Sequence, residues 1–296
     1  MEKPRTPSTL GVKELPFEWV KNRHANKNEG SKFVTIDGID VHYREEGEGP
    51  TILFLHGICD SLHTWGPWVE ELKKDFHVIR FDLPFFGLSR VLDDKTITKE
   101  FYPTFLESLV THFRLKDFYL CGHSLGAWIS WNFAIKNQSL LKKLILISPP
   151  GHPVKPPFLV RATGNGFIKK LASLYTPKFL ADMAIEEIFY DPSFMTEVQR
   201  SRYYEILMVE GNRKNYMNVF SMMVKFAHEW PDGLHTIETE TLIIWGKEDR
   251  WIPSSHASYW TKTLPHVHLE VFDRVGHVPQ EENVQDTLKS FKQFLK

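Results

Sequence analysis

The stretch Phe118-Tyr-Leu-Cys-Gly-His-Ser-Leu-Gly126 joins a short apolar run to a Gly-x-Ser-x-Gly pentapeptide, and a helical pattern from Leu125 to Lys136 follows it. A strand that turns sharply into a helix lifts the hydroxyl group of Ser124 clear of a sheet. The flanking Gly122 and Gly126 lack Cβ atoms, so neighbouring segments of backbone can come close. Because of this context, the stretch predicts a nucleophilic serine at the carboxyl end of a strand.

Outward from this stretch, short apolar runs alternate with helical patterns, which favours a parallel sheet built from βαβ units. An Asp-Gly pair at Asp37-Gly38 predicts a hairpin before the parallel strands. We predict an α/β fold with a mostly parallel, eight-stranded sheet flanked by helices. The predicted strands are Lys32–Ile36, Asp40–Glu45, Thr51–Leu55, His77–Phe81, Phe118–Cys121, Leu144–Ile147, Leu242–Trp245 and Leu269–Phe272.

The strand signals stop between Pro149 and about His235, where helical patterns rich in Phe, Tyr and Met replace them. An all-helical insertion between two strands of a parallel sheet explains this change. We predict an N-terminal arm (1–30), a core (31–150 and 234–296) and an inserted helical cap (151–233). Most apolar cap residues are expected to pack the cap together and onto the core, and the rest to line a substrate pocket.

The composition is that of an ordinary globular protein without a basic excess. Lys and Arg number 36 against 37 Asp and Glu, a formal net charge of −1, which argues against a nucleic-acid partner. No stretch approaches the roughly 20 apolar residues that span a bilayer, and residues 1–28 lack the apolar region of a secretory signal. We therefore expect no transmembrane segment and a cytoplasmic location. Cys59 and Cys121 are expected to be small buried residues.

A serine hydroxyl group needs a base to take its proton, and His277 is the candidate because it follows the last predicted strand. A carboxylate should then orient the imidazole ring. Asp249 fits that role, with Glu248 as the alternative. The chain order Ser124, Asp249, His277 is the order expected when this geometry is built on a sheet with a nucleophile elbow.

The negative oxygen of a tetrahedral intermediate needs hydrogen-bond donors. The backbone N–H groups of Leu125 and Ile58 are the candidates for this oxyanion hole. Gly57 and His123 are tentative substrate-binding residues near them, and His56 is expected to shape the loop. In the cap, Met222 and Phe226 are tentative pocket residues, because flexible and aromatic linings suit acyl chains.

Five segments together resemble the α/β-hydrolase superfamily, in its branch of serine esterases, lipases and carbon–carbon hydrolases that carry a helical cap. They are Leu55–Gly57, Phe81–Ser89, Gly122–Gly126, Trp245–Asp249 and Gly276-His277. The resemblance implies the α/β-hydrolase fold with an inserted cap, and it implies that Asp82 braces a loop. One departure lies in the turn Pro84-Phe85-Phe86-Gly87, where the family usually has Gly-Phe/His-Gly.

The resemblance also limits the reaction. Dehalogenases and epoxide hydrolases of this fold use aspartate where Ser124 stands, so serine favours acyl transfer to water. The main hypothesis is hydrolysis of a lipophilic carboxylic ester through an acyl-enzyme. Two alternatives stay open: carbon–carbon bond hydrolysis of a ring-fission product, and slow-turnover ligand sensing. No cofactor or metal is implied, and the expected partner is a small hydrophobic ester bound by a monomer or homodimer.

Overall fold

The computed structural model describes residues 10–25, 30–91 and 97–296. In these residues the strands are β1 (Ser31–Ile36), β2 (Ile39–Glu46), β3 (Thr51–Leu55), β4 (His77–Phe81), β5 (Arg90–Val91), β6 (Phe118–His123), β7 (Leu141–Ile147), β8 (Thr241–Gly246) and β9 (Val267–Phe272). They form one sheet in the order β1-β2-β4-β3-β6-β7-β8-β9, with β5 paired to β2. The pairs of β2 with β1, β4 and β5 are antiparallel, and the other pairs are parallel.

The predicted α/β fold with a mostly parallel sheet is confirmed, and all eight predicted strands are present. The sheet has a ninth strand, the two-residue β5, which is too short to leave a pattern in the sequence. The predicted hairpin turn is also present. Asp37 and Gly38 have φ angles of 49° and 72°, the left-handed pair that a two-residue turn between β1 and β2 needs.

The sheet is accompanied by α-helices on both faces. Those of the described residues are α1 (Phe17–His24), α2 (Gly66–Leu72), α3 (Phe101–His112), α4 (Leu125–Asn137), α5 (Phe158–Ala162), α6 (Gly166–Leu174), α7 (Lys178–Ile188), α8 (Glu197–Leu207), α9 (Asn212–Phe226), α10 (Ala257–Thr263), α11 (Pro279–Glu282) and α12 (Val284–Leu295).

Alternate residues of the central strands face two separate apolar layers. In β3, Leu53 and Leu55 join the layer that contains α3, α4 and α10, whereas Ile52 and Phe54 join the layer that contains α2 and α12. All four side chains are fully buried, so this strand has to be apolar on both faces. The two layers pack against both faces of the sheet, and this packing fixes the points from which the loops at its carboxyl edge begin.

Five helices, α5 to α9, lie between β7 and β8, where the sequence predicts a helical insertion. Helix α8 begins with a capping box, in which Gln199 N donates to the Thr196 hydroxyl oxygen at 3.2 Å. Helices α8 and α9 bury aromatic residues such as Tyr203 and Tyr216, whereas α6 buries none of its residues. Six apolar side chains are exceptions to the expectation that most apolar residues here pack inward, since each is more than half exposed: Phe158, Phe167, Leu171, Leu174, Phe179 and Met183.

The described part of the N-terminal arm packs against this insertion. Leu15 N donates to Met208 O at 2.7 Å, and the side chains of Leu15 and Phe17 are buried. The rest of the predicted arm, residues 1–9 and 26–29, lies outside the described residues. Within the described residues, no helix has both the length and the apolar character to cross a membrane.

Both cysteines are free thiols, one inside the core and one at its edge. Cys121 is fully buried in β6, and Cys59 is partly buried beside the apolar layer of α3 and α4. Burial raises the pKa of both thiol groups, and the charge of Asp60 raises that of Cys59 further. Neither thiol is therefore poised to act as a thiolate nucleophile.

Candidate active site

Ser124 lies in a strained turn between β6 and α4. Its φ and ψ angles are 50° and −113°, a conformation that non-glycine residues rarely adopt and that costs about 1–3 kcal/mol. Its N–H group donates to Ile147 O at 2.9 Å, which ties the turn to β7. A Cβ atom on Gly122 would lie 2.3 Å from Gly126 O, and one on Gly126 would lie 2.3 Å from Leu55 O. Both positions therefore require glycine.

The structure brings Ser124, His277 and Asp249 together from three loops at the carboxyl edge of the sheet. His277 Nε2 lies 3.0 Å from Ser124 Oγ, and His277 Nδ1 lies 2.8 Å from Asp249 Oδ2. The other carboxylate oxygen, Asp249 Oδ1, accepts from Trp251 N at 2.8 Å and from Ile252 N at 2.9 Å. With the carboxylate held in this way, the Nδ1–H group donates to it, and Nε2 can accept the serine proton.

Glu248, the alternative acid, points away from the imidazole ring. Its Oε2 accepts a hydrogen bond from Val275 N at 3.1 Å, and its own N–H group donates to Val275 O at 3.1 Å. By contrast, the side chain of Asp249 is completely buried against His277. The geometry thus favours Asp249 as the partner of the imidazole ring.

Two backbone N–H groups are available beside Ser124. Leu125 N begins α4, where the first N–H groups have no partner within the helix. Ile58 N follows β3, and within the described residues neither of these two groups donates to a backbone carbonyl. Both are therefore free to donate to an oxygen that gains negative charge.

His56 shapes the loop that carries Ile58. Leu83 N donates to His56 Nε2 at 2.9 Å, so the proton of the ring is on Nδ1, which donates to Gly57 O at 2.6 Å. Burial lowers the pKa of His56 to about 4, although the charge of Asp82 acts in the opposite direction. The ring is neutral near pH 7 and takes a structural role.

His123 and Gly57 lie against the nucleophile. His123 Nε2 donates to His277 O at 2.7 Å, and burial, reinforced by the charge of His277, lowers the pKa of His123 well below its ordinary value. His123 Nδ1 is buried and has no hydrogen-bond partner within the described residues. A Cβ atom on Gly57 would lie 2.7 Å from that nitrogen and 3.3 Å from Ser124 Cβ, so only glycine leaves this space open.

Two apolar cavities meet at Ser124. The smaller has a volume of about 120 Å³ and is called here the tryptophan cavity, after Trp128, Trp131 and Trp230 in its wall. The larger, of about 240 Å³, is called the aliphatic cavity, after side chains such as Ile168, Leu180 and Ile185. Their walls have four residues in common, which are Ser124, Pro157, Val160 and Trp251. The serine hydroxyl group therefore stands at the junction of the two cavities.

Core and insertion residues line both cavities. Met222 and Phe226, the tentative pocket residues of the insertion, both line the tryptophan cavity. His123, a tentative substrate-binding residue at the end of β6, lines the aliphatic cavity together with Ile58 and His277. His123 and the pair Met222 and Phe226 are thus all close to Ser124, but they lie in different cavities, and Gly57 is in the wall of neither.

Few charged side chains reach either cavity. In the tryptophan cavity, Lys99 Nζ lies 2.5 Å from Glu229 Oε2, so the two charges compensate each other. The described wall of the aliphatic cavity contains Asp60 and Glu187 but no Lys or Arg. An anionic group of a ligand would lose its hydration there without gaining a free cation from these walls, which is unfavourable.

Several aromatic residues at the site were not predicted from the sequence. The ring of Trp251 stacks on that of His277, with centroids 5.6 Å apart and planes 27° apart. Trp128 and Trp131, in α4, line the tryptophan cavity. Their spacing of one and two helical turns after Ser124 is the signal that could have identified them.

A buried ionic cluster joins the core to α8 beside the aliphatic cavity. Arg202 Nη2 donates to Glu281 Oε1 at 2.8 Å and lies 4.0 Å from Asp60 Oδ1. The hydroxyl groups of Thr64 and Tyr203 also donate to Glu281 Oε1, at 2.6 and 2.9 Å. Burial and the charge of Glu281 raise the pKa of Asp60 to about 7, against the opposing effect of Arg202.

Asp82 braces a loop, as the resemblance implies. Its Oδ1 accepts from Leu62 N at 2.7 Å, and its Oδ2 accepts from Leu88 N at 2.8 Å and from His42 Nδ1 at 2.7 Å. Burial acts to raise the pKa of Asp82, but the charge and hydrogen bond of His42 outweigh it and lower the pKa. In the unusual turn that follows, Phe85 has a φ angle of 71°, a conformation that glycine adopts more readily.

Within the described residues, no group of three or more His, Cys, Asp or Glu side chains is placed to hold a metal ion. The functional groups that surround Ser124 are the imidazole ring, the carboxylate, the backbone donors and the two apolar walls. Together they can activate a hydroxyl group, stabilise an oxyanion and bind apolar substituents on both sides of the reacting carbon.

A family model described as alpha/beta hydrolase fold matches residues 50–284. The chain is 27% identical over 281 residues to 2-hydroxy-6-oxononadienedioate/2-hydroxy-6-oxononatrienedioate hydrolase 1 of Pseudomonas putida. That match covers 91% of this chain and 98% of the relative. The resemblance therefore extends over the sheet and the insertion alike.

Solved structures with this fold include proteins of different specificity. A variant of the meta-cleavage product hydrolase CumD from Pseudomonas fluorescens IP01 aligns with a TM-score of 0.76 at 22% identity, covering 90% of this chain and 98% of its own. A thermophilic esterase from Thermogutta terrifontis aligns with a TM-score of 0.73 at 23% identity, covering 90% and 97%. At this level of identity, these likenesses establish the fold alone.

Proposed function

The chain belongs to the alpha/beta hydrolase fold family, and we propose that it hydrolyses uncharged, lipophilic carboxylic esters through an acyl-enzyme formed on Ser124. The observation that carries the proposal is the hydrogen-bonded series from Ser124 through His277 to Asp249, placed where two apolar cavities meet. A nucleophile, a base and an orienting carboxylate in this arrangement are suited to acyl transfer.

In the first step, Ser124 Oγ attacks the ester carbonyl carbon while His277 Nε2 takes the hydroxyl proton. The carbonyl oxygen becomes an oxyanion, for which the N–H groups of Ile58 and Leu125 are the proposed donors. Asp249 stabilises the imidazolium ion that forms, because it already accepts the Nδ1–H bond at 2.8 Å. The strained turn at Ser124 keeps the hydroxyl group exposed to both cavities.

In the second step, the imidazolium ion of His277 protonates the departing alkoxide oxygen, and the alcohol leaves the acyl-enzyme. Water then enters, gives a proton to the imidazole ring and attacks the acyl carbon. His277 passes that proton to Ser124 Oγ as the bond to the acyl carbon breaks, which releases the acid and restores the serine hydroxyl group. Since the departing oxygen must lie near His277 Nε2, the alcohol part belongs on the His277 side. That side is the aliphatic cavity, so the acyl part occupies the tryptophan cavity.

We also propose that residues 151–233 act as a cap domain, distinct from a core of residues 31–150 and 234–296, with residues 1–30 as an arm. The position of α5 to α9 between β7 and β8 supports this division. The cavity walls support it too, because Met222 and Phe226 come from α9 while Ser124 comes from the sheet.

The alternative is carbon–carbon bond hydrolysis, which the name of the Pseudomonas putida relative suggests. The substrate in that name is a dioate, which carries two carboxylate groups. Here the only cation in the described cavity walls is Lys99, and it is paired with Glu229. The absence of a free cation from the described walls favours an uncharged ester over such a dianion.

A substrate panel tests the proposal directly. The purified protein would receive uncharged aryl and alkyl esters, the same esters with a carboxylate at the far end of the acyl chain, and a ring-fission diketone. We expect turnover of the uncharged esters and at least roughly tenfold lower kcat/KM for the carboxylated ones, because an unpaired charge is costly in these cavities. Turnover of the diketone with none of the esters would reject the proposal in favour of the alternative.

A further inference from the structure

The insertion and the N-terminal arm packed against it expose a group of large apolar side chains. We call the outer patch the six side chains of Leu10, Val12, Phe167, Leu171, Leu174 and Phe179, which are between 53% and 77% exposed. Together they present on the order of several hundred Å² of apolar surface, a size at which such patches mark interaction sites.

The N-terminal part and the helical part of the outer patch lie side by side because the side chain of one buried arginine hydrogen-bonds to the backbone of both. Arg213 Nη1 donates to Leu174 O at 3.2 Å and also to Gly11 O, and Arg213 Nη2 donates to Val12 O at 3.0 Å. Thr176 N donates to Gly11 O at 3.0 Å, just before α7 begins. The residues beside Gly11 therefore lie next to the end of α6 and the start of α7.

Helix α6 has two apolar sides with different surroundings. Phe167, Leu171 and Leu174 recur at the spacing of one helix face and point outward. The neighbouring face carries Ile168 and Ala172, which line the aliphatic cavity. A helix packed against a core on one side normally has polar residues on the other, so its outer face is adapted to an apolar environment.

The aliphatic cavity reaches the surface within this patch. Ile168 and Tyr175 both line the cavity, yet each is 42% exposed. Leu180, on α7, lines the same cavity and follows Phe179 of the outer patch. The passage to Ser124 therefore opens between α6 and α7, with apolar side chains around its mouth.

We propose that the outer patch docks the protein peripherally on a lipid surface, so that ester substrates pass from the lipid into the aliphatic cavity. The docking on a lipid surface is independent of the proposed function, whereas the passage of ester substrates into the cavity rests on it. Lys170 lies beside the apolar stripe of α6, where its ammonium group can reach lipid headgroups as the apolar side chains insert.

A lipid surface fits the observations better than a protein partner does. A protein seated on the outer patch would cover the mouth between α6 and α7 and block access to Ser124. A lipid layer would instead supply the molecules that the apolar cavities accept, because lipophilic esters concentrate there rather than in water.

Vesicle flotation with the full chain tests the docking. The protein would carry Ser124→Ala, so that the vesicles are not hydrolysed, and would be floated with vesicles of phosphatidylcholine alone or mixed with phosphatidylserine. We expect flotation of this protein with both. The additional changes Phe167→Ser, Leu171→Ser and Phe179→Ser should lower vesicle partitioning by at least roughly tenfold, because three apolar side chains no longer insert.

The matched control is Val271→Ser, which removes a 42% exposed apolar side chain from the edge strand β9 and should float as before. Equal flotation of the triple variant, or no flotation of the parent, would overturn the proposal. The proposal would also be overturned if the parent protein did not bind vesicles but formed a dimer, seen by sedimentation velocity, that the triple change dissociates.

Activity separates failure of the docking from failure of the ester proposal. With Ser124 restored, the triple variant should hydrolyse a water-soluble short-chain aryl ester at the parent rate, which also shows that it is folded. It should lose roughly tenfold or more on a long-chain ester dissolved in the same vesicles. Flotation without hydrolysis of any ester would leave the docking intact and reject the proposed substrate class.

Discussion

The loops of the sheet and the helices of residues 151–233 build the same site in opposite ways. The loop residues Ser124, Asp249 and His277 are each no more than 6% exposed, and hydrogen bonds hold all three. In the helical insertion, α6 buries none of its residues, and the cavity walls consist of side chains such as Met222 and Phe226. Rigid polar geometry is thus combined with adaptable apolar contact.

This difference suggests a division of labour. The bond-breaking chemistry requires atoms placed to within tenths of an ångström, which backbone turns such as that at Ser124 provide. The choice of substrate requires volume and apolar surface, which methionine and aromatic side chains provide with less demand on position. Changes in the loops should therefore abolish activity, whereas changes in the insertion should redirect it.

The strongest test of this contrast is Ser124→Ala. It should lower kcat by roughly 10⁴- to 10⁶-fold, because a nucleophile and its base act as a unit, and it should abolish labelling by a fluorophosphonate probe. The control is Ser148→Ala, which changes another fully buried serine at the end of the neighbouring strand β7 and should leave labelling intact. Continued labelling of folded Ser124→Ala would show that the nucleophile is elsewhere.

The second test concerns the two adjacent carboxylates. Asp249→Asn should lower kcat by roughly 10⁴-fold, because the amide group no longer holds the productive tautomer of His277. Glu248→Gln keeps an oxygen that can accept from Val275 N and should change kcat by less than about threefold. Equal losses in the two variants would mean that loop geometry, and not the carboxylate on the imidazole ring, sets the rate.

The sequence alone was sufficient for most of the loop region. Strand β6, the glycines around Ser124 and the order of the three polar residues all leave strong local signals, because backbone geometry restricts the residues that fit there. The strands were predicted for a similar reason, since a central parallel strand has to be apolar on both faces. The pattern of apolar residues does not predict the two-residue strand β5 or the exact ends of the other strands.

The insertion was predicted less well, and the reason is physical. A helix that packs inward and a helix that presents apolar residues outward contain the same residue types, so the sequence does not single out Phe167 and Leu171 as exposed. The cluster of Asp60, Arg202 and Glu281 depends on contacts between distant segments, and no local pattern records such contacts. The stacking of Trp251 on His277 is equally a product of the tertiary fold.

The third prediction addresses the contact between the two regions, where Asp60 of the core lies near Arg202 of α8. The pKa of the Asp60 carboxyl group is about 7 in the folded protein, above the ordinary 3.8, so the folded state holds its proton more tightly than the unfolded state does. Asp60 therefore causes stability to fall as the pH rises from about 4 to about 7. Asp60→Asn should remove this loss and raise the free energy of unfolding at pH 8 by a few kcal/mol, with little effect at pH 4.

Urea unfolding of the parent protein and of Asp60→Asn at pH 4 and pH 8 measures that difference. The other titrating groups contribute equally to the two proteins, so their contributions cancel. Asp232→Asn, a change of an exposed carboxylate in the loop before β8, is the control and should have the same small effect at both values. A variant that is less stable at pH 8 would mean that the charge of Asp60 is needed by Arg202, and that the contact is an attractive one.

The smallest expected effect belongs to the cavity walls, where Met222→Ala and Phe226→Ala enlarge the tryptophan cavity. If that cavity holds the acyl part, the preferred acyl chain should lengthen, with kcat/KM for longer chains rising a few-fold per methylene at about 0.8 kcal/mol each. The preferred alcohol should stay the same. A two-way series of esters, varied separately in the acyl and alcohol parts, measures both preferences on each variant.

Leu180→Ala is the matched change in the aliphatic cavity and should have the converse effect. It should favour larger alcohols and leave the acyl preference unaltered, because His277 protonates the departing oxygen on that side. If Met222→Ala altered the alcohol preference instead, the assignment of the two cavities would be reversed. If Met222→Ala, Phe226→Ala and Leu180→Ala all left both preferences unchanged, the insertion would not select the substrate. The proposed division of labour would then hold for the loops that carry the chemistry but not for the helices.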